Sequence, residues 1–128
     1  MAIWQFDVVV TDQEGQRSLP EAVRMRAESF LVGLMPASIE GTGWTMFGSD
    51  EGNRIDINFD GRGCEIGVRI DARSEAHDFI SLVCLMVATL DCALFSDEFG
   101  EPIPSDVSSL KEALQRSAAW QFALGTIP

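Results

Sequence analysis

The sequence predicts a single α+β domain over residues 1–128, with an antiparallel sheet that carries helices on one face and exposes the other to solvent. Three observations predict this class. Segments 54–59 and 65–71 alternate apolar and polar residues, as half-buried antiparallel strands do. The apolar run 79–90 is too short to cross a bilayer, which takes a helix of about 20 residues, so it indicates a core helix. The composition, 46% hydrophobic and 23% charged, is that of a globular chain.

The first strand and helix are predicted from alternation and helical spacing. Residues 3–10 place Gln5 and Asp7 on the face opposite to four apolar side chains, which predicts a strand. Pro20 is typical of a first helical turn, and Pro36 ends the apolar pattern of the helix that follows. The apolar positions of this helix are Val23, Ala27, Phe30, Leu31 and Leu34.

Three short strands, 44–47, 54–59 and 65–71, are separated by glycine-rich turns. In the second and third of these strands, the apolar residues share one face and the polar residues share the other. We interpret the polar face mainly as cross-strand charge pairing, although a binding surface or a catalytic carboxylate pair would use the same residue types. These polar residues are Arg54, Asp56, Asn58, Asp60, Glu65, Arg69 and Asp71.

Two registers of the second and third of these strands keep the same residues inward. One register sets Asp56 beside Arg69 and Arg54 beside Asp71. The other closes a two-residue turn at 61–62 and sets Arg54 against Arg69. Like charges directly opposite each other are destabilising, so we expect the first register.

The next helix is expected to have Ser74 as its N-cap, with Glu75 and Asp78 near its positive end. Its run 79–90 is apolar almost all round, so the sheet alone cannot cover it. Either the C-terminal tail folds back over this helix or the helix meets a second copy of the chain. The apolar residues of that tail are Trp120, Phe122, Leu124 and Ile127.

The last elements are a short strand at 92–95, an acidic turn at 96–101 and a helix that ends near Ala119. The spacing of Ser109 and Glu112 is that of a capping box and predicts the start of this helix. The predicted element order is therefore β-α-β-β-β-α-β-α.

Charge excludes some classes of partner. The chain has 9 basic and 20 acidic residues and a net charge of −11. Nucleic-acid binding and docking on anionic lipid both require a basic surface, so we expect neither. A basic protein partner is compatible with this charge, and so is solubility alone.

The cysteines and the N-terminus point to the cytoplasm. Cys64, Cys84 and Cys92 are an odd number and form no C-x-x-C pair, so we expect free thiols. Cys64, beside Arg62, is expected to be the most exposed of the three. The N-terminal residues have no signal-peptide pattern.

Motifs for catalysis are missing from the sequence. His77 is the only histidine, and Cys84 lies about 10.5 Å farther along the same helix, too far to share a zinc ion. We interpret His77 as a surface residue at a helix start. No nucleophile motif, phosphate loop or EF-hand loop is present. We therefore predict no catalytic residue, no cofactor and no metal.

Residues 91–119 have the order Asp-Cys-Ala-Leu-Phe, an acidic turn ending in Gly-Glu, Pro-Ile-Pro, and a helix beginning Leu-Lys-Glu-Ala-Leu. This segment resembles the C-terminal part of small acidic bacterial proteins, some of which are immunity proteins. The resemblance covers about a quarter of the chain, and it implies that the protein binds and neutralises a toxin.

The predicted function is therefore a non-enzymatic protein-binding module, most concretely an immunity-type inhibitor with an acidic surface. A dimeric adaptor or secretion chaperone with an apolar groove is the alternative, and a small enzyme is a third hypothesis. The candidate partner-binding residues are Asp50, Glu51, Asp56, Asp60, Glu65, Asp97, Glu98 and Glu101.

Overall fold

The structure is a computed structural model that describes residues 3–74 and 76–125, and it confirms the α+β class. The strands are β1 (Gln5–Thr11), β2 (Leu19–Pro20), β3 (Ala37–Gly41), β4 (Trp44–Gly48), β5 (Arg54–Phe59), β6 (Gly63–Asp71), β7 (Ala93–Ser96) and β8 (Glu101–Ile103). The helices are α1 (Glu21–Leu31), α2 (His77–Thr89), α3 (Val107–Arg116) and α4 (Ala118–Ala123).

All the strands join one antiparallel sheet in the order β3-β4-β5-β6-β1-β7-β8, and β2 pairs with the start of β6. The longest strands, β1 and β6, lie side by side near the middle. Eight apolar side chains of the long strands that were predicted to face inward join one buried cluster with side chains of all four helices. From the long strands, that cluster takes Phe6, Val8, Val10, Ile55, Ile57, Ile66, Val68 and Ile70.

The predicted element order is wrong in four places, because β2, β3, β8 and α4 are additional. None of the four has a strong local pattern. All five residues of β3 are exposed, so the strand shows no apolar alternation. The two-residue β2 and the three-residue β8, which contains Pro102, are too short to show a period. Their pairing depends on neighbours that are distant in sequence.

The helix starts also differ from the prediction. Ala76, not Ser74, is the N-cap of α2, since residues 72–74 form a turn; Glu75 lies outside the described residues. The cap of α3 is Asp106, whose Oδ1 accepts a hydrogen bond from Ser109 N at 2.7 Å, so the predicted Ser109 cap is wrong.

The first helix ends at Leu31, one turn earlier than predicted. Gly33 adopts a left-handed φ of 83°, which the chain needs to leave the helix. Leu34 therefore lies outside the helix and is 58% exposed, contrary to its expected place on the inward face. Ala27 and Leu31 are buried as expected.

The C-terminal tail, for which no element was predicted, forms a helix of its own. Ser117 Oγ accepts from Trp120 N at 3.1 Å and starts α4, which contacts α3 and β1. Trp120 packs against the core, while Phe122 and Leu124 are exposed and Ile127 lies outside the described residues. Leu85 is the large apolar side chain of α2 that stays exposed. None of the helices in residues 3–74 and 76–125 has the length and apolarity to cross a membrane.

The expected register of β5 and β6 is wrong: Arg54 lies opposite Arg69, and Asp56 lies opposite Gly67. The shift closes the two-residue turn at 61–62. The prediction from cross-strand charge pairs failed because, within the β5–β6 pair, neither arginine forms an ion pair with a carboxylate of the other strand. Their partners come instead from the β4–β5 loop, from β5 itself and from β1.

The turn itself favours the observed register. Asp60 Oδ1 accepts hydrogen bonds from Arg62 N at 2.9 Å and Gly63 N at 3.2 Å. Gly61 has a φ of 85°, which a two-residue hairpin turn requires at its first position. The turn therefore stabilises the observed register, in addition to the carboxylates that neutralise Arg54 and Arg69.

All three cysteines are buried free thiols. Cys64 lies in β6 opposite Phe59 on the inward face, so the expectation that it is exposed is wrong. Burial raises the pKa of Cys64 to about 11, in spite of Arg24 nearby.

The thiols are expected to react only after unfolding, because a buried thiol is shielded from reagent and its thiolate is disfavoured. A colorimetric thiol reagent at pH 8 should detect almost no fast-reacting group in the native protein and three in urea. Rapid reaction of one thiol in the folded protein would contradict the burial of these residues.

Candidate functional site

The face of the sheet opposite to the helices, the helix-free face, contains a hollow of about 370 Å³. It lies over β4, β5, β6 and β1 and reaches the residue after β7. We name it the Gly67 hollow after the residue at its floor. Its side chains are those of Asp7, Val9, Trp44, Arg54, Asp56, Asn58, Arg69 and Asp97.

The hollow exists because Gly67 has no side chain. Gly67 pairs with Asp56 on one side and Val9 on the other, in the middle of the sheet. A Cβ atom placed on Gly67 would meet no heavy atom within 4 Å, and its φ is not in the left-handed region. The backbone therefore does not require glycine here, and the residue leaves open space between the neighbouring side chains.

A buried ion pair forms one wall of the hollow. Asp56 accepts hydrogen bonds from Trp44 Nε1 and from Arg54 Nε, both at 3.0 Å. Arg54 Nη1 also donates to Asp50 Oδ1 at 2.7 Å. The side chains of Arg54 and Asp56 are only 8% and 11% exposed. These contacts hold both groups, and the Trp44 indole beside them, in fixed positions.

The opposite wall is formed by Asp7 and Arg69. Arg69 Nε lies 3.2 Å from Asp7 Oδ1, but no described residue donates an aligned hydrogen bond to that buried oxygen. Burial raises the pKa of Asp7, and Arg69 opposes this only in part. The carboxylate is thus less well satisfied than that of Asp56.

At the β7 end, Asp97 forms a two-pronged ion pair with Arg17, including Arg17 Nη1 to Asp97 Oδ2 at 2.9 Å. The hydrogen bonds from Arg17 lower the pKa of Asp97. The Arg17 guanidinium also lies over the Phe95 ring, 5.6 Å from its centroid. Arg17 and Asp97 are both exposed, so this part of the rim is polar and accessible.

The β4–β5 loop closes the other end of the helix-free face. Trp4 Nε1 donates to Glu51 O and Gln5 Nε2 donates to Gly52 O, both at 2.8 Å. Asn53 Oδ1 accepts from Asp71 N at 2.7 Å. The loop therefore covers Gln5 and Asp71.

The structure brings only some of the predicted binding residues together. Asp56 and Asp97 line the hollow, and Asp50 reaches it through Arg54. Glu65 is exposed on the same face, opposite Asn58. The others lie apart from the hollow. Glu51 lies in the β4–β5 loop and Asp60 in the β5–β6 turn. Glu98 accepts a hydrogen bond from Ala118 N, and Glu101 accepts one from Arg116.

Three residues of the hollow, Asp7, Trp44 and Gly67, were missed as candidates. Alternation in β1 does place Asp7 on the polar face, but nothing local shows that β1 lies beside β6. Gly67 interrupts the polar positions of β6, and a lone glycine in a strand indicates a close approach or an open space. That glycine was the available signal.

His77 is exposed at the start of α2, as expected, and lies outside the hollow. Among residues 3–74 and 76–125, no group of three or more His, Cys, Asp or Glu side chains is placed to hold a metal ion. The groups that line the hollow include carboxylates, guanidinium groups and the Trp44 indole.

Asp7→Asn is expected to raise the melting temperature at pH 7. The folded-state pKa of Asp7 is raised, so its charge opposes folding above that pKa, and the penalty disappears as the pH falls towards 3.8. The advantage of Asn should therefore shrink between pH 7 and pH 4 in calorimetric scans. Arg69, the N-terminal amino group and Arg54 lower the pKa of Asp7, and the like-charged Asp56 raises it.

Asp97→Asn is the matched control, since the pKa of Asp97 is lowered by Arg17. This variant should lose stability at pH 7, and the loss should disappear as the pH falls through the folded-state pKa. The same sign of effect for both variants at pH 7 would contradict the different environments of the two carboxylates.

Comparison with known protein families, with curated proteins and with solved structures finds no significant match to this chain.

Proposed function

We propose that the protein is a non-enzymatic binding module that uses the helix-free face of its sheet to bind a basic partner protein. The observation that carries the proposal is the Gly67 hollow, an open concavity lined by three carboxylates and two guanidinium groups on a chain with a net charge of −11. A concave site with a few fixed polar groups is the usual form of a recognition site.

The most concrete form of this function is an immunity-type inhibitor that neutralises a bacterial toxin. The resemblance of residues 91–119 supports this form, and so does the charge, since an acidic surface accelerates encounter with a basic partner. Asp97 and Glu65, which are exposed at the rim and on the same face, would act in this encounter. Trp44 and the buried Arg54–Asp56 pair would supply a rigid centre.

A dimeric adaptor is the second candidate, and one observation favours it. Met25, Val32, Leu34 and Ile39 are each at least 58% exposed, and Ile39 lies in β3, at an edge of the sheet. An open strand edge that carries an exposed apolar residue is a common surface for strand pairing. This surface is separate from the hollow, so the two functions predict sensitivity to different substitutions.

Co-expression in a bacterial host tests the immunity form. The product of the neighbouring reading frame should arrest growth, and this protein should restore it. The rim variant Glu65→Lys should weaken the rescue and the complex, because it places a positive charge on the binding face. Glu112→Lys, an equal charge change on α3, should not.

Two results would count against the proposal. If the neighbouring product is harmless and does not bind this protein in calorimetry, the immunity form fails. If the complex forms but is weakened by Ile39→Asp and not by Glu65→Lys, the edge of β3 is the binding surface and the helix-free face is not.

A further inference from the structure

Charged side chains line the Gly67 hollow, and Arg17 pairs with Asp97 at its rim. The carboxylates of Asp7, Asp56 and Asp97 line it, against the guanidinium groups of Arg54 and Arg69. Each arginine already has a carboxylate within 3.2 Å. The group that is least satisfied is therefore an acid, and the chain around it is strongly acidic.

We propose that the Gly67 hollow binds a single cationic side chain of the partner, an arginine or a lysine, with its charged end at Asp7 and its stem against Trp44. This inference rests on the proposed function and adds the chemistry that the face recognises. Neighbouring residues of the partner would contact the rim around Asp97 and Glu65.

Asp7 is suited to receive the charge. No described residue donates a hydrogen bond to its buried Oδ1, and the side chain of Asp7 is 41% exposed. A guanidinium or ammonium group would supply donors that Arg69 does not align, and charge-assisted bonds of this kind are the stronger ones. An anionic ligand would face this carboxylate and an overall repulsive field.

Trp44 and Gly67 are suited to the rest of the side chain. The Trp44 indole is held by Asp56 through its Nε1, which leaves the flat ring as a surface for an aliphatic stem or a planar guanidinium. Gly67 provides the depth, since every other residue type would fill part of the floor. About 370 Å³ is within the range of small-ligand sites.

The test uses N-acetyl-L-arginine amide, with N-acetyl-L-lysine amide as a second cation and the citrulline analogue as an uncharged control of the same shape. ¹H–¹⁵N spectra should show saturable shifts of the Trp44 indole and of the Gly67 and Val9 amides with the cations, with dissociation constants on the order of millimolar. Citrulline and N-acetyl-glutamate amides should bind at least about tenfold more weakly.

Gly67→Val is the decisive variant, because it fills the hollow at a strand position where an added Cβ meets no heavy atom within 4 Å. It should keep or raise the melting temperature and weaken arginine binding at least about tenfold. Ala37→Val, the matched control in exposed β3, should change neither property. Asp7→Asn should also weaken binding of the cations while the protein stays folded.

Equal shifts with citrulline, tighter binding of the glutamate amide, or unchanged arginine binding in Gly67→Val would each overturn the inference. The partner assay separates it from the proposed function. A complex weakened by Glu65→Lys but unaffected by Gly67→Val would leave the function in place and exclude the hollow as the cation site. These probes report on the hollow whether or not a partner is known.

Discussion

Asp56→Ala is expected to lower the free energy of unfolding by about 3 kcal/mol, because it removes one partner of a buried ion pair. The change also leaves the Trp44 indole without its acceptor. Asp50 still neutralises Arg54 in part, so the loss should lie at the lower end of the range for broken buried pairs. Urea titration monitored by tryptophan fluorescence and by circular dichroism measures it.

Asp97→Ala provides the comparison, since it breaks an exposed ion pair that is worth at most about 1 kcal/mol. Replacing both Arg54 and Asp56 by apolar residues should recover part of the loss, because no buried charge then remains without a partner. A loss from Asp56→Ala no larger than that from Asp97→Ala would show that the Arg54–Asp56 pair is hydrated in solution.

Gly43→Ala is expected to have a similarly large effect, about 3 kcal/mol. Gly43 has a φ of 83°, where a side chain is strained, and an added Cβ would collide with the backbone oxygen of Phe59. The Gly43 carbonyl also accepts from Phe59 N at 2.8 Å, so the end of β5 must move. Thermal and urea unfolding should both report the destabilisation.

Gly15→Ala isolates the collision from the strain. Gly15 has nearly the same φ, 88°, but an added Cβ there meets nothing within 4 Å. This variant should lose only about 1–2 kcal/mol, the cost of a left-handed alanine. Equal losses for the two variants would mean that the β3–β4 turn and the end of β5 adapt without cost.

The periodicity of apolar residues predicted the long strands and the central helix, because these elements form from residues that are close in sequence. The alternation of Ile55 with Asp56 and of Ile66 with Gly67 assigned the inward face of β5 and β6 correctly. The apolar run of α2 indicated a helix that packs against other elements in addition to the sheet. By contrast, β3 has five exposed residues, and its existence depends on pairing with β4.

The candidate site was predicted less completely. Asp56 and Asp97 were named because they are acidic, and the structure places both at one hollow. Asp7 joins them only because β1 lies beside β6, and such an order of strands is decided by long-range packing. Trp44 matters only because its indole reaches Asp56 across the β4–β5 pair.

The sequence by itself determined the fold class, the acidic charge and the inward face of each long strand, because composition and period are local properties. The tertiary structure alone decided the register and the site. The charges on β5 and β6 predicted that Arg54 and Arg69 would not lie opposite each other. In the structure they do, because Asp50 and Asp56 pair with Arg54 and Asp7 pairs with Arg69. Charge pairing depends on all the residues close in space, and a prediction made from β5 and β6 alone could not include Asp7 of β1.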